Sequence, residues 1–233
     1  DRQVVEEAAR AIHDLPISGA LPALADLLAV NGIQQSDNLL RRAMNANLRL
    51  GSSAAALRLA NFAADTNRPQ SLRLAALSLL AQWESPSSRD WVLGMWRPLK
   101  SRSSEPAGDA VRSVLPQLLA NSTSLKWQAI RTAALLGLKE VIEPLEAVVH
   151  DRETDGQTRA DSLDLLADLA PAQVTNSLPV LMNDPNAIVR IAALKRLAAT
   201  SEQRAMPMLK RMVESGTSPE RIASFELLGS IES

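Results

Sequence analysis

The sequence predicts an all-α fold of antiparallel helix pairs stacked side by side, and two observations carry that prediction. The first is a period. Arginine recurs at Arg159, Arg190 and Arg221, 31 residues apart each time, inside the phrases TRADSLDLLADLA (158–170), VRIAALKRLAA (189–199) and ERIASFELLGS (220–230). Four residues after each arginine stands Leu163, Leu194 or Phe225; seven after it, Leu166, Leu197 or Leu228; eight after it, Ala167, Ala198 or Gly229. A fixed period of that length carried by an amphipathic helix marks a repeat array, in which each unit buries its apolar face on its neighbours. The second is composition. Hydrophobic residues make up 46% of the 233 residues, yet aromatics only 3%, with no tyrosine. Strands favour aromatic and β-branched side chains, so a core rich in Leu and Ala reads as helix throughout.

Upstream the pattern continues. SLRLAALSLLAQW (71–83) sets Arg73 four residues before Leu77 and seven before Leu80, and LKWQAIRTAALLG (125–137) puts Lys126 in the arginine's place, followed by Ile130. Weaker first helices lie near 3–14 and 37–50. The recurring basic residue is expected to lay its stem along the apolar seam and set its head on an acidic or carbonyl group. Second helices are marked by prolines expected near their starts: Pro22, Pro116, Pro144, Pro179 and Pro207. Proline lacks the amide hydrogen that a first helical turn leaves unpaired anyway. The expected architecture is therefore six pairs, near 3–30, 37–65, 70–121, 123–154, 157–184 and 187–215, with a final helix and no sheet. Leu77, Leu80, Ile130, Leu163, Leu166, Leu194, Leu197, Phe225 and Leu228 form its expected core.

NDPNAIVRIAALKRLA (183–198), followed after a short turn by AMPMLKRMV (205–213), resembles the HEAT-repeat family. The resemblance is strong from 123 onward and degenerate before 66. It implies a right-handed α-solenoid acting as a scaffold, with second helices on the concave face. It carries no reaction with it: the hydroxylases of this fold need paired His-Glu metal motifs, and none is present. RRAMNANLRLG (41–51) and RDWVLGMWRPL (89–99) resemble parts of the helical region in large secreted bacterial proteins of the haem-binding Cys-x-x-Cys-His family. That resemblance implies a periplasmic or secreted spacer between a dehydrogenase-like propeller and a cytochrome domain.

One interval breaks the rhythm. Arg190 to Pro207 spans 17 residues and Lys126 to Pro144 spans 18, but Arg73 to Pro116 spans 43. An insertion at 85–107, SPSSRDWVLGMWRPLKSRSSEPA, accounts for the difference. Insertions in repeat arrays emerge on one face and often make the functional contact. Trp91 and Trp96 lie in it, followed by Arg97, Lys100 and Arg102. These tryptophans either anchor the insertion on the third repeat, the reading the sequence favours, or present an aromatic anchor to a protein partner.

Charge is unevenly spread although it sums to −1. Nine acidic and two basic residues give 140–170 a balance of −7, and six basic and one acidic give 189–212 a balance of +5. Such blocks are expected to attract across the interface between repeats. A second candidate contact is Glu143, Glu146 and His150, should they share the concave face.

Chemistry is sparsely signalled. Cysteine is absent, which removes disulfides, zinc-thiolate sites and covalent haem attachment from this segment. His13 and His150 stand alone near helix ends, where an imidazole interacts favourably with the helix dipole. No nucleophile elbow, Walker loop or GxGxxG occurs, and nine scattered glycines do not make a phosphate cradle. The expectation is a non-enzymatic scaffold or interdomain spacer with no cofactor in this segment, no catalytic or metal residues and no membrane span. Its partners would be proteins or neighbouring domains. The alternative is a HEAT-like nucleic-acid binder or DNA glycosylase, against which the near-neutral charge and the split basic blocks argue. The absent initiator methionine and the apolar spread of the last helix (Leu227, Leu228, Ile231) lead to the expectation that the segment belongs to a longer chain.

Overall fold

The computed structural model describes residues 1–15, 17–30, 35–121 and 123–231. Among these the protein is an all-α, HEAT-like solenoid: thirteen α-helices, three short 3-10 turns and no strand. The helices are α1 (Arg2–Asp14), α2 (Leu21–Asp26), α3 (Asp37–Leu50), α4 (Ser53–Ala64), α5 (Gln70–Ala81), α6 (Glu105–Leu119), α7 (Thr123–Leu135), α8 (Ile142–His150), α9 (Gly156–Leu169), α10 (Pro171–Leu181), α11 (Ala187–Thr200), α12 (Glu202–Ser215) and α13 (Ser218–Ile231). Helices thus fall within each of the six predicted intervals and at the final position.

The chain forms two compact units, Asp1–Leu138 and Lys139–Ser233. In the first, α1, α3, α5 and α7 pack in succession; in the second, α9, α11 and α13 do so. Local chemistry sets the helix starts. The side chains of Ser36, Ser52, Asp155, Asn186 and Ser201 each accept an amide hydrogen from the first turn that follows, which satisfies one of the donors a helix N-terminus leaves unpaired. Gly51 ends α3 with φ 66°, a left-handed conformation that glycine adopts without steric cost. Seven of the nine expected core residues are buried: Leu77, Leu80, Ile130, Leu163, Leu166, Leu194 and Leu197.

Phe225 is a correction. It is 60% exposed, Leu228 is only half-buried, and Ala223 and Ser224 face inward instead. In α9 and α11 the residue four after the arginine is covered by the helix that follows in the stack; among the described residues α13 has none on that side. The side chain of Ile231 lies outside the described residues. The proline rule is corrected as well. Pro22 and Pro144 stand near the starts of α2 and α8, but Pro116, Pro179 and Pro207 lie inside α6, α10 and α12. The true start signals are Pro171 for α10 and the Ser201 cap for α12.

The repeat arginine docks as expected at three positions. Arg73 Nε donates to the carbonyl of Ala63 and Arg159 Nε to that of Val149, each ten residues back, at the end of the preceding helix pair. Arg159 also donates through both Nη atoms to Asp184, at 3.2 and 2.5 Å. Arg190 donates to Glu220 Oε1 at 2.6 Å and to the carbonyls of Asp184 and Pro185. Arg190 and the Thr217 hydroxyl hold the Glu220 carboxyl at about 2. Burial alone would raise Asp184, but the Arg159 bonds keep its carboxyl below the usual range. Lys126 and Arg221 are exposed and do not repeat this contact. The charge blocks do meet across repeats, Arg196 reaching Asp164 at 2.7 Å and Asp168 at 3.7 Å.

Candidate partner-docking site

The insertion fills the interval between α5 and α6, and it folds back onto α1 and α3 instead of resting mainly on the third repeat. Its centre is a tight hairpin. Asp90 N donates to Met95 O at 2.8 Å and Arg97 N to Ser88 O at 2.9 Å, which pairs Arg89 with Trp96 in an antiparallel bridge. Gly94 turns the loop at φ 67°, its amide donating to Asp90 O. Asp90 Oδ1 accepts the amides of Val92 and Leu93 at 2.9 and 3.0 Å, so one side chain sets both the turn and its docking.

The docking is polar and buried. Asp90 Oδ2 accepts from Asn45 Nδ2 on α3 at 2.8 Å, and the same nitrogen lies 2.7 Å from His13 Nε2 on α1. His13 Nδ1 is 2.9 Å from Asp14 Oδ1, and Arg42 of α3 grips Asp14 with two bonds of 3.2 and 3.1 Å. One set of roles satisfies the whole chain: His13 Nδ1–H donates to Asp14, and Nε2 accepts from Asn45. The side chains of His13 and Asp90 are fully buried. Burial would raise the Asp90 carboxyl, yet the Leu93 amide, Asn45 and the Val92 amide together hold it below the usual range. It is therefore a buried carboxylate, stable because its lone pairs are met. Arg97 closes the seam, donating to the carbonyls of His13 and Asp14 at 3.0 and 2.6 Å.

The tryptophans divide accordingly. Trp83, at the end of α5, is buried with the Arg102 guanidinium 4.2 Å from its ring centre. Trp91 is half-buried under Arg41 at 5.3 Å. Trp96 is 68% exposed and Met95 55% exposed at the hairpin tip. The expectation that both insertion tryptophans are mostly buried is thus wrong for Trp96. Its partner across the bridge is Arg89, an exposed polar chain, and α1 and α3 are already covered by Asp90 and Arg97. Lys100 is exposed further along, outside this cluster.

Glu143, Glu146 and His150 share one face of α8 at i, i+3 and i+7. Glu143 and His150 are exposed and Glu146 half-buried. They belong to the second unit, whereas Trp91, Trp96 and Arg97 belong to the first. Sequence reasoning missed Asp90, Asn45, His13 as a docking residue, and Arg49. A signal existed for one of them: Asn45 and Asn47 interrupt the apolar stretch AMNANL on a helix face that is buried. Among the described residues no group of three or more His, Cys, Asp or Glu could hold a metal ion, and no helix is long and apolar enough to cross a membrane.

Residues 151–229 match HEAT repeats. The matched stretch runs from the loop before α9 into α13, where the arginine period is clearest. Upstream of the matched stretch the described residues are also helical, α1 to α8. No curated protein matches the chain. The resemblance of 41–51 and 89–99 to the haem-binding proteins finds no support in these comparisons. In the structure those two stretches are α3 and the hairpin docked upon it, joined through Asn45–Asp90 and Arg41–Trp91.

Proposed function

We propose that this segment is a non-enzymatic HEAT-like scaffold that binds a protein partner, or a neighbouring domain, through the hairpin tip of its third repeat. HEAT repeats commonly mediate protein–protein interaction. The observation that carries the reading is the contrast within the insertion. Met95 and Trp96 are exposed, while the backbone beneath them is fixed by a buried carboxylate with three hydrogen bonds and by Arg97. Tryptophan is enriched among residues that dominate binding energy. A tip already held in one conformation loses little entropy on binding. A loop serving only to cover the third repeat would bury its indoles.

The test is proximity labelling in the source cell with the intact chain and with Met95→Ser/Trp96→Ser. The variant is expected to melt at the same temperature and to lose a defined set of labelled proteins. An unchanged labelling pattern in a variant of unchanged stability would refute the reading.

A further inference from the structure

A pocket of about 250 Å³ opens beside the hairpin, between α3, α5 and the insertion. Arg49, Arg89 and Arg97 line it, and Asp90 is the one acidic residue in its wall, so three positive charges face one negative. Asp90 does not consume them. Its oxygens are occupied by Asn45 and two backbone amides, and Arg49 and Arg97 approach it only to 3.8 and 3.9 Å, beyond hydrogen-bond length. Arg49 makes no hydrogen bond to any described residue, although its side chain is only 22% exposed. A guanidinium held largely out of water with its donor fork unfilled lacks an acceptor that the protein does not supply.

The rest of the wall narrows the ligand. Leu48, Leu79, Trp91 and Leu99 give it an apolar side, and its volume is below that of the usual small-molecule or cofactor site. It suits one acidic side chain or a chain terminus with an apolar neighbour. Arg89 and Trp96 form the non-hydrogen-bonded pair of the bridge, the arrangement in which facing side chains stand closest. The exposed indole therefore stands opposite Arg89, a residue of the pocket wall.

We infer that the pocket receives a carboxylate of the protein partner, gripped by Arg49, with Arg89 and Arg97 adding positive charge while they hold the Gly94, His13 and Asp14 carbonyls, and that an adjacent apolar residue of that partner packs on Trp96. This rests on the docking role proposed above and assigns its chemistry: an acidic–apolar peptide segment. Arginine matches a planar carboxylate with two parallel N–H bonds, which gives the pocket selectivity over a neutral amide.

The experiment is an NMR titration of the arginine Nε–H signals of the whole chain with three probes: a terminally blocked Leu-Glu-Leu peptide, its Leu-Gln-Leu counterpart, and inorganic phosphate. The Glu peptide should shift the Arg49 signal saturably and bind about tenfold more tightly than the Gln peptide. Arg49→Gln should abolish that preference; Arg89→Gln, altering an exposed side chain, serves the same purpose if Arg49→Gln loses stability. Trp96→Ser should weaken both peptides several-fold and leave their ratio intact. Equal affinity for the two peptides would overturn the inference. Phosphate binding more tightly than the Glu peptide, or a single-stranded oligonucleotide displacing that peptide at physiological salt, would do so as well. Proximity labelling separates this failure from that of the docking role: loss in Trp96→Ser with no change in Arg49→Gln sinks the carboxylate and leaves the tip.

Discussion

Replacing Asp90 by Asn alters one atom and should still loosen the whole insertion. The amide oxygen can keep the Val92 and Leu93 amides, which places its NH₂ where Oδ2 stood, against the Asn45 NH₂ at 2.8 Å. Two donors then face each other. Rotating Asn45 to offer its oxygen removes the hydrogen that His13 Nε2 accepts, at 2.7 Å. His13 must then move its proton to Nε2, which leaves Nδ1 without a hydrogen for Asp14 at 2.9 Å. Each of these rearrangements passes the mismatch along the same buried line. A charge-assisted bond contributes about 1.5–3 kcal/mol, and a buried unmatched donor costs about 1–3 kcal/mol. The expected loss is therefore about 3 kcal/mol, or about 6–12 °C in melting temperature for a chain of this size. Scanning calorimetry measures the loss, and hydrogen exchange at the amides of Gly94 and Arg97 locates it. The sign with pH follows from the lowered Asp90 carboxyl. Its stabilisation is present above the unfolded aspartate range near 3.9 and is lost as pH falls through the lower folded value. The Asn variant should lack that part of the acid limb. A loss below about 0.5 kcal/mol, with exchange in the hairpin unchanged, would refute the reasoning.

Other outcomes follow from the packing. Leu194→Ala in α11 should cost about 2–5 kcal/mol in urea unfolding, whereas Phe225→Ser in α13 should change stability by less than about 0.5 kcal/mol. Arg159→Ala leaves Asp184 buried without its guanidinium and should cost about 3–5 kcal/mol by the same assay. Glu220, held at about 2 against an ordinary 4.5, contributes about 3 kcal/mol that is complete above pH 5 and lost as pH falls from about 5 to 2; Glu220→Gln should flatten that window in a pH series of melting curves.

The fold was legible because a repeat writes its core at fixed intervals. Leu163, Leu166, Leu194 and Leu197 carry the same phase, and the same packing surrounds each. The period failed at Phe225 because its phase describes a helix with neighbours on both sides, and none covers that side of α13 among the described residues. The prolines misled for a related reason. Pro116, Pro179 and Pro207 lie inside helices that begin earlier, α6 and α10 with another proline in the first turn (Pro106, Pro171) and α12 at the Ser201 cap. The docking site was half legible. The broken interval located the insertion, whose tip exposes Trp96 and whose seam is closed by Arg97. The residues that fix it come from three distant stretches, His13, Asn45 and Asp90, and no spacing rule joins a helix end, a mid-helix amide and a loop carboxylate. Such a network exists only once α1, α3 and the hairpin are folded together.

Photo-crosslinking from position 96 in the source cell tests the central claim most directly, with a benzophenone amino acid in place of Trp96 and, in a parallel chain, in place of the equally exposed Ile222. The account predicts a discrete protein adduct from position 96 that position 222 does not give and that Asp90→Asn diminishes. The same adducts from both positions, unaffected by Asp90→Asn, would contradict it.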